Sequence, residues 1–304
     1  MDVATLDSLR ISLPPAGQAG LAIALMIIMF SVALGLSVRD FAFIRTEPVT
    51  FAAGALAQLI GLPLLTLGLL NLLVPPPSIA LGMIVVACCP GGSVSNLLTF
   101  LGRGNIGYSV ALTATSSTLA AIVTPASILF WSHRYAPTAS LLQSIDVSPM
   151  LFLVQTMALL GVPLLAGMIV AARAPDVARR LRALTTPMGA LVLIGTIVYG
   201  SVLFLPILYA WAAILIGIAA LHNGLAFMLG LGTGALVGAD GPTRRALTFE
   251  IGIQNSGLAI VILIAQLEGL GGAAAIAATW GIWHLIAGGI IVAGLRMIDR
   301  TGAQ

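Results

Sequence analysis

Lysine is absent from this 304-residue chain, so all thirteen basic residues are arginines, which is read as genomic bias because no chemistry here requires it. Charge of either sign is scarce: Asp, Glu, Lys and Arg make up 8% of the residues, against about 25% in soluble domains. That shortage, with 59% hydrophobic residues and a mean hydropathy of +1.11, excludes a soluble globule. Aromatics are few, four Tyr and four Trp among them, while Leu, Ala and Ile dominate, which excludes the aromatic girdles of an outer-membrane barrel. The two cysteines, Cys88 and Cys89, are neighbours, so no disulfide framework is expected and both read as small packing residues. No basic patch carries interleaved aromatics, so no nucleic-acid partner is expected. No Ser/His/Asp set, metal-binding His/Cys cluster or phosphate loop appears either, so an enzyme is not expected. The segment Met1–Pro15 lacks a basic flank before an apolar core and does not read as a signal peptide.

What remains is apolar helix. Stretches of about twenty apolar residues can cross a bilayer, and nine are present: 17–37, 48–73, 78–102, 105–131, 149–172, 185–205, 207–237, 243–267 and 272–297. With the amino terminus outside, Arg39, Arg45, Arg103, Arg173, Arg179, Arg180, Arg182, Arg244, Arg245, Arg296 and Arg300 fall inside, leaving only Arg10 and Arg134 outside. The positive-inside rule selects this arrangement, because one helix more or fewer scatters the basic loops over both sides. The expected fold is an all-α polytopic membrane protein of the plasma (inner) membrane, surrounded by lipid, with residues 1–16 outside and a cytoplasmic tail at 299–304. Short connections follow at Pro75–Pro77, Leu205-Pro206 and Gly269–Gly272, and a charged inner loop is expected from Arg173 to Arg182, serving as an orientation signal.

Two spans are interrupted. The third carries Cys89-Pro90-Gly91-Gly92-Ser93-Val94-Ser95-Asn96, and the eighth carries Glu250-Ile251-Gly252-Ile253-Gln254-Asn255-Ser256-Gly257. Matching Gly/Pro interruptions in two halves mark the central site of many transporters. Spans two to four and seven to nine then form an inverted repeat, with Gln58 before one break and His222-Asn223 before the other. Backbone breaks at membrane depth must face protein or water. Glu250 is the conspicuous cost: a carboxylate at the bilayer centre is unfavourable by about 2.5–3.5 kcal/mol on insertion scales and needs a partner. A cation from solution is the simplest one, although protonation of Glu250, alone or as part of proton coupling, also satisfies the requirement. Ser109 and Thr113, at i and i+4, share one helix face. Taken singly, Ser109, Thr113 and Gln58 read as interhelical hydrogen bonds and His222 and Asn223 as structural residues; only their company with Glu250 and Asn96 argues for an ion site.

These motifs, together with Gly104-Asn105, Met29-Phe30-x-x-x-Leu34-Gly35-Leu36 and Trp283-His284, resemble the bile acid:sodium symporter family, over about residues 20 to 297. The resemblance implies two crossing broken helices, a core domain (spans 48–131 and 207–297) and a panel domain (spans 17–37, 149–172 and 185–205), here in a nine-helix form. It implies two sodium ions, the first held by Ser95, Asn96, Ser109, Thr113 and Glu250. The second would be held by Gln58, Glu250, Gln254 and the carbonyls of Ile251 and Ile253. It also implies an organic-anion site at Ser93, Asn255, Ser256 and His284. Leu285 departs from the Asn common after Trp-His in the family, and Ser93 stands where relatives often have Thr. Every implied ion position here carries an oxygen donor, as a hard cation requires. The expected function is sodium-coupled import of an organic anion such as a bile-acid-like, pantoate-like or keto-acid solute, with no obligate protein partner. The alternatives left open are a proton-coupled carrier, an arsenite-type permease using Cys88 or Cys89, and a membrane sensor, for which no signalling domain is visible.

Overall fold

The computed structural model describes residues 7, 10, 15–37, 43–203 and 205–301. Among them the chain is helical: α1 (Pro15–Leu34), α2 (Phe43–Thr46), α3 (Pro48–Leu73), α4 (Pro77–Cys88), α5 (Ser93–Leu101), α6 (Ile106–Arg134), α7 (Ala136–Ser144), α8 (Pro149–Arg173), α9 (Pro175–Leu203), α10 (Leu205–Leu236), α11 (Gly241–Gly252), α12 (Ser256–Gln266) and α13 (Gly271–Thr301). Five described stretches are long and apolar enough to cross a bilayer alone: α3, α6, α8, the Tyr209–Leu236 part of α10, and α13. None of α4, α5, α11 and α12 is long enough singly; each crosses only as half of a broken pair.

The breaks follow from local chemistry. Proline disfavours helical backbone in the residue before it, and Cys89, before Pro90, is extended (φ −76°, ψ 152°) where α4 stops. On the other pair, α11 ends at Gly252 and Ile253 is extended (φ −117°, ψ 104°). Neither break leaves its backbone bare. Gly91 and Gln254 pair as an isolated antiparallel bridge, and Asn255 N donates to Pro90 O at 2.9 Å, so the two interruptions satisfy each other where they cross. α5 lies against α11 on the arginine-rich side of this crossing and α4 against α12 on the other.

Packing follows the distribution of polarity. Every residue from Ser78 to Cys88 in α4 and from Ser256 to Ile264 in α12 is buried, as expected for helices apolar all round. They form the centre of the main apolar cluster with α13 around Trp280. α1 packs on α8 and α9, while α10 packs chiefly on α11 and α13. The α10–α11 contact is close because Gly230 and Gly234 face it. A Cβ at Gly230 would stand 2.3 Å from Leu247 O, and one at Gly234 would stand 2.9 Å from Arg244 Cγ. This is the small-xxx-small spacing that lets membrane helices approach backbone to backbone.

Several boundaries differ from the sequence expectation. The charged loop expected at Arg173–Arg182 is a single residue, Ala174, because Pro175 suits the first position of a helix and Ala178-Arg179-Arg180-Leu181-Arg182-Ala183 are strong helix formers. The residues expected as a tail from 299 are helical through Thr301. Ala136–Ser144, between the fourth and fifth expected spans, is the short helix α7, with Thr138 Oγ1 bonded back to Ser132 O and Tyr135 O. The connection expected at Leu205-Pro206 lies within the start of α10. Residues 1–6, 38–42 and 302–304, on which parts of the expected outer segment, first inner loop and tail fall, lie outside the described residues.

Candidate ion and solute site at the helix crossing

Glu250 sits in the last turn of α11 and is fully buried. Its carboxylate accepts from Ser95 Oγ at 2.6 Å, from Thr113 Oγ1 at 2.7 Å and from Ser109 Oγ. Three elements converge to make this happen: α5 supplies Ser95, α6 supplies Ser109 and Thr113, and α11 supplies the acid. The first broken pair brings its Gly91 against the acid, where a Cβ would stand 3.1 Å from Glu250 Oε2 and 3.0 Å from Gln58 Nε2. A side chain there would crowd the acid and the Gln58 amide, each of which would have to give by a few tenths of an ångström.

The oxygens around the acid outnumber the protons available to separate them. Ser109 Oγ lies near three oxygens: Glu250 Oε1, Asn96 Oδ1 at 2.8 Å and Thr99 Oγ1 at 3.2 Å. A hydroxyl has one proton to give. Ser95 Oγ likewise faces Gly92 O at 2.7 Å as well as the acid, and Thr113 Oγ1 faces Asn96 Oδ1 at 3.4 Å. Lone pairs gathered at these distances repel unless a positive charge lies among them. The donor set is hard oxygen throughout, which suits an alkali cation rather than a transition metal.

A second cluster lies beside it on α3 and at the end of α11. Gln58 Nε2 donates to Glu250 O at 3.1 Å, and Gln254 Nε2 donates to Ile251 O at 2.9 Å. Both Oε1 atoms are buried without a hydrogen-bond partner. Two orphaned acceptors next to the carbonyl end of a helix, where the dipole is negative, again ask for a cation. Gln58 is turned inward by a π-helical turn, Ala57–Gly61, in the middle of α3. Such turns recur at functional sites, and the sequence carries no signal for this one.

Basic residues near Glu250 in sequence are engaged elsewhere. Arg245 forks onto Asp299 (2.5 and 2.8 Å) and caps Gly102 O at 3.0 Å, while Arg244 Nε donates to Ala239 O at 2.6 Å. With Arg296 Nε on Leu101 O at 2.8 Å, these contacts tie the arginine-rich ends of α5, α11 and α13 together, away from the buried acid.

The solute candidates are divided by the structure. Ser93, exposed, opens α5, whose start has no side-chain cap, and Gly92 brings that start against Asn255, the residue before α12. Asn255 Oδ1 is used locally, accepting from Leu258 N at 3.0 Å. Ser256 is buried against α13, where a Cβ on Gly281 would stand 2.5 Å from its Oγ. His284 is also buried, edge-on to Trp280 with ring centroids 5.0 Å apart, so of these four residues only Ser93 and Asn255 are not buried. Leu285 beside it is half exposed. Asn223, taken from sequence as structural, is closer to the site than that reading implied. Its Nδ2 donates to Gly252 O at 2.6 Å, fixing the end of α11, and its Oδ1 is orphaned. His222 donates Nε2–H to the Thr66 hydroxyl at 2.8 Å, because that hydroxyl gives its own proton to Leu62 O. Cys88 and Cys89 are enclosed in the main apolar cluster.

A bundle of apolar helices, two of them broken and crossed at a buried acid ringed by uncharged oxygens, defines a polytopic α-helical membrane transporter. The chain belongs to the sodium bile acid symporter family, whose profile matches residues 22–221. It is 33% identical over 272 residues, 88% of this chain and 80% of the other, to an uncharacterized sodium-dependent transporter of Bacillus subtilis. An alignment of that length takes in both crossovers wherever it begins, whereas the family match stops before Glu250. It is 30% identical over 245 residues to the probable chloroplastic sodium/metabolite cotransporter BASS1 of Arabidopsis thaliana, covering 79% of this chain and 58% of that protein. To the human ileal sodium/bile acid cotransporter it is 26% identical over 245 residues, 80% of this chain and 68% of that one. Members of this family are sodium-coupled transporters rather than enzymes.

Proposed function

We propose that the chain imports an organic anion together with two sodium ions by alternating access. The observation that carries this reading is the surplus of buried oxygens at the crossing: the proton-poor ring around Glu250 and the orphaned Gln58 and Gln254 amide oxygens. One ion is held by Ser95, Asn96, Ser109, Thr113 and Glu250. The other is held by Gln58, Gln254, Glu250 and the carbonyls of Ile251 and Ile253. Sodium in both places neutralises the acid and fixes the two breaks against each other. The uncapped, positive end of α5 at Ser93, beside Asn255, then receives the solute's anionic group.

In this reading α1, α8 and α9 form the panel and the remaining long and broken helices the core, and rocking of one against the other exposes the crossing to each side in turn. The amino terminus lies outside the plasma membrane and the arginine-rich ends face the cytoplasm. The solute is of the bile-acid, pantoate or keto-acid kind, a carboxylate on a largely apolar body. The burial of Cys88 and Cys89 among aliphatic side chains removes support for an arsenite-type permease. The test is a thermal-shift panel of organic anions on the purified chain, each with sodium or with choline in its place, followed by vesicle uptake of any hit. Sodium is expected to raise the melting temperature of the wild type and not of Glu250→Ala. An unchanged sodium shift in that variant removes the assignment.

A further inference from the structure

Away from the crossing, the arginine-rich ends of α1, α8 and α9 line a cavity of about 530 Å³. Its walls combine the apolar side chains of Leu34, Leu36 and Met168 with small residues such as Gly35 and Ala172, and its charge comes from Arg179 and Arg182. The stretch Arg173–Arg182 holds four arginines against one acid, Asp176, which pairs with Arg179. Arg182 makes no hydrogen bond or ion pair among the described residues. Its guanidinium lies against the backbone at Gly35, where a Cβ would stand 2.5 Å from Arg182 Cζ and would turn the guanidinium aside.

We infer that this cavity binds the phosphodiester headgroup of an anionic phospholipid, with Arg182 and Arg179 as its contacts. Basic pockets between membrane helices at the cytoplasmic side have this chemistry in general. Here a further feature distinguishes a lipid from a soluble phosphate. Leu165 and Ile169, 61% and 52% exposed, stand at i and i+4 on α8 and lead along one face to Ala172 at the cavity wall. That apolar stripe runs from the cavity toward the membrane interior and gives an acyl chain a surface to lie on; a free anion has no use for it. The lipid would bridge α1, α8 and α9, the three helices that pack together apart from the crossing. The site is separate from the proposed ion and solute site and does not depend on it.

The experiment is a lipid titration of the full, delipidated chain in detergent, read by native mass spectrometry and by melting temperature. Phosphatidylglycerol is compared with phosphatidylcholine and with inorganic phosphate. Phosphatidylglycerol is expected to stay bound and raise the melting temperature, with phosphatidylcholine and phosphate giving neither effect. Arg179→Gln/Arg182→Gln is expected to weaken phosphatidylglycerol binding by about tenfold or more, on the scale of a factor of about five per arginine lost. Arg45→Gln/Arg300→Gln, which removes the same charge from other exposed positions at the arginine-rich end, is expected to leave it unchanged. Gly35→Ala keeps every charge but displaces Arg182, and is expected to weaken binding while the protein still melts cooperatively. Equal binding by the wild type and both cavity variants overturns the inference. So does equal loss in the Arg45/Arg300 control, or a melting shift produced by inorganic phosphate alone.

Discussion

Gly230→Ala adds one methyl group where α10 meets the backbone of α11, and its consequence can be worked out from two distances. The new Cβ would stand 2.3 Å from Leu247 O and 2.8 Å from Thr248 Cα, both backbone atoms that cannot swing aside. Restoring ordinary contact requires α10 and α11 to separate by about 1 Å, since carbon–heavy-atom contacts are comfortable only beyond about 3.4 Å. Overpacking of this kind costs about 1–3 kcal/mol. Glu250 lies one turn beyond Leu247 on the displaced helix, and its hydrogen bonds to Ser95 and Thr113 are 2.6 and 2.7 Å long. Opening them by about 1 Å loses bonds to a charged group, about 1.5–3 kcal/mol each. Two separate readouts should therefore fall together. The melting temperature should drop, and sodium at a concentration that saturates the wild type should no longer raise it. Gly232→Ala is the matched control on the same helix, because a Cβ there meets nothing within 4 Å. It should keep the sodium shift and melt at or slightly above the wild type, as alanine is the better helix former by about 0.5–1 kcal/mol. Equal damage from the two substitutions, or a Gly230→Ala protein that melts and responds to sodium like the wild type, would refute the reasoning.

Thr113→Val keeps shape but removes the hydroxyl that donates to Glu250 Oε2, and sodium titrations of uptake should show half-saturation raised by about tenfold or more, one charged hydrogen bond's worth. At the start of α11, Asp240 accepts from Thr243 N at 2.8 Å, and its carboxyl is held below the usual range first by the Thr243 hydroxyl and then by that amide. A depressed carboxyl stabilises the fold fully above its ordinary value of about 3.9 and loses that contribution as pH falls through its lower folded value. Melting curves from pH 6 down to pH 3 should therefore decline less steeply for Asp240→Asn than for the wild type, while Asp240→Ala should cost about 1 kcal/mol already at neutral pH.

Much of this architecture was legible in the chain itself. The scarcity of charge required a membrane, and the lengths of the apolar stretches fixed where the long helices run, because a helix rises a constant distance per residue and the bilayer has a fixed thickness. Pro90, Gly91 and Gly252 located the breaks. Local rules reach that far, as they also do for the Ser109–Thr113 pair on one face of α6. They misplaced the Arg173–Arg182 segment, since orientation charges and a good helix start look alike in composition.

Rotation and cross-chain distance belonged to the tertiary structure alone. α4 and α12 are apolar on every side, so no periodicity says which face meets which neighbour. Gln58 reaches the site because a π-helical turn rotates it there, and Asn223 holds the end of α11 from a helix whose sequence marks no such role. Arg245 could have answered Glu250 from five residues away, and only the fold turned it instead to Asp299. Composition decides that helices form and cross a bilayer, because burial of apolar surface is not directional. Which oxygens come to share one point is decided by packing, which acts over a few ångströms between residues more than a hundred positions apart.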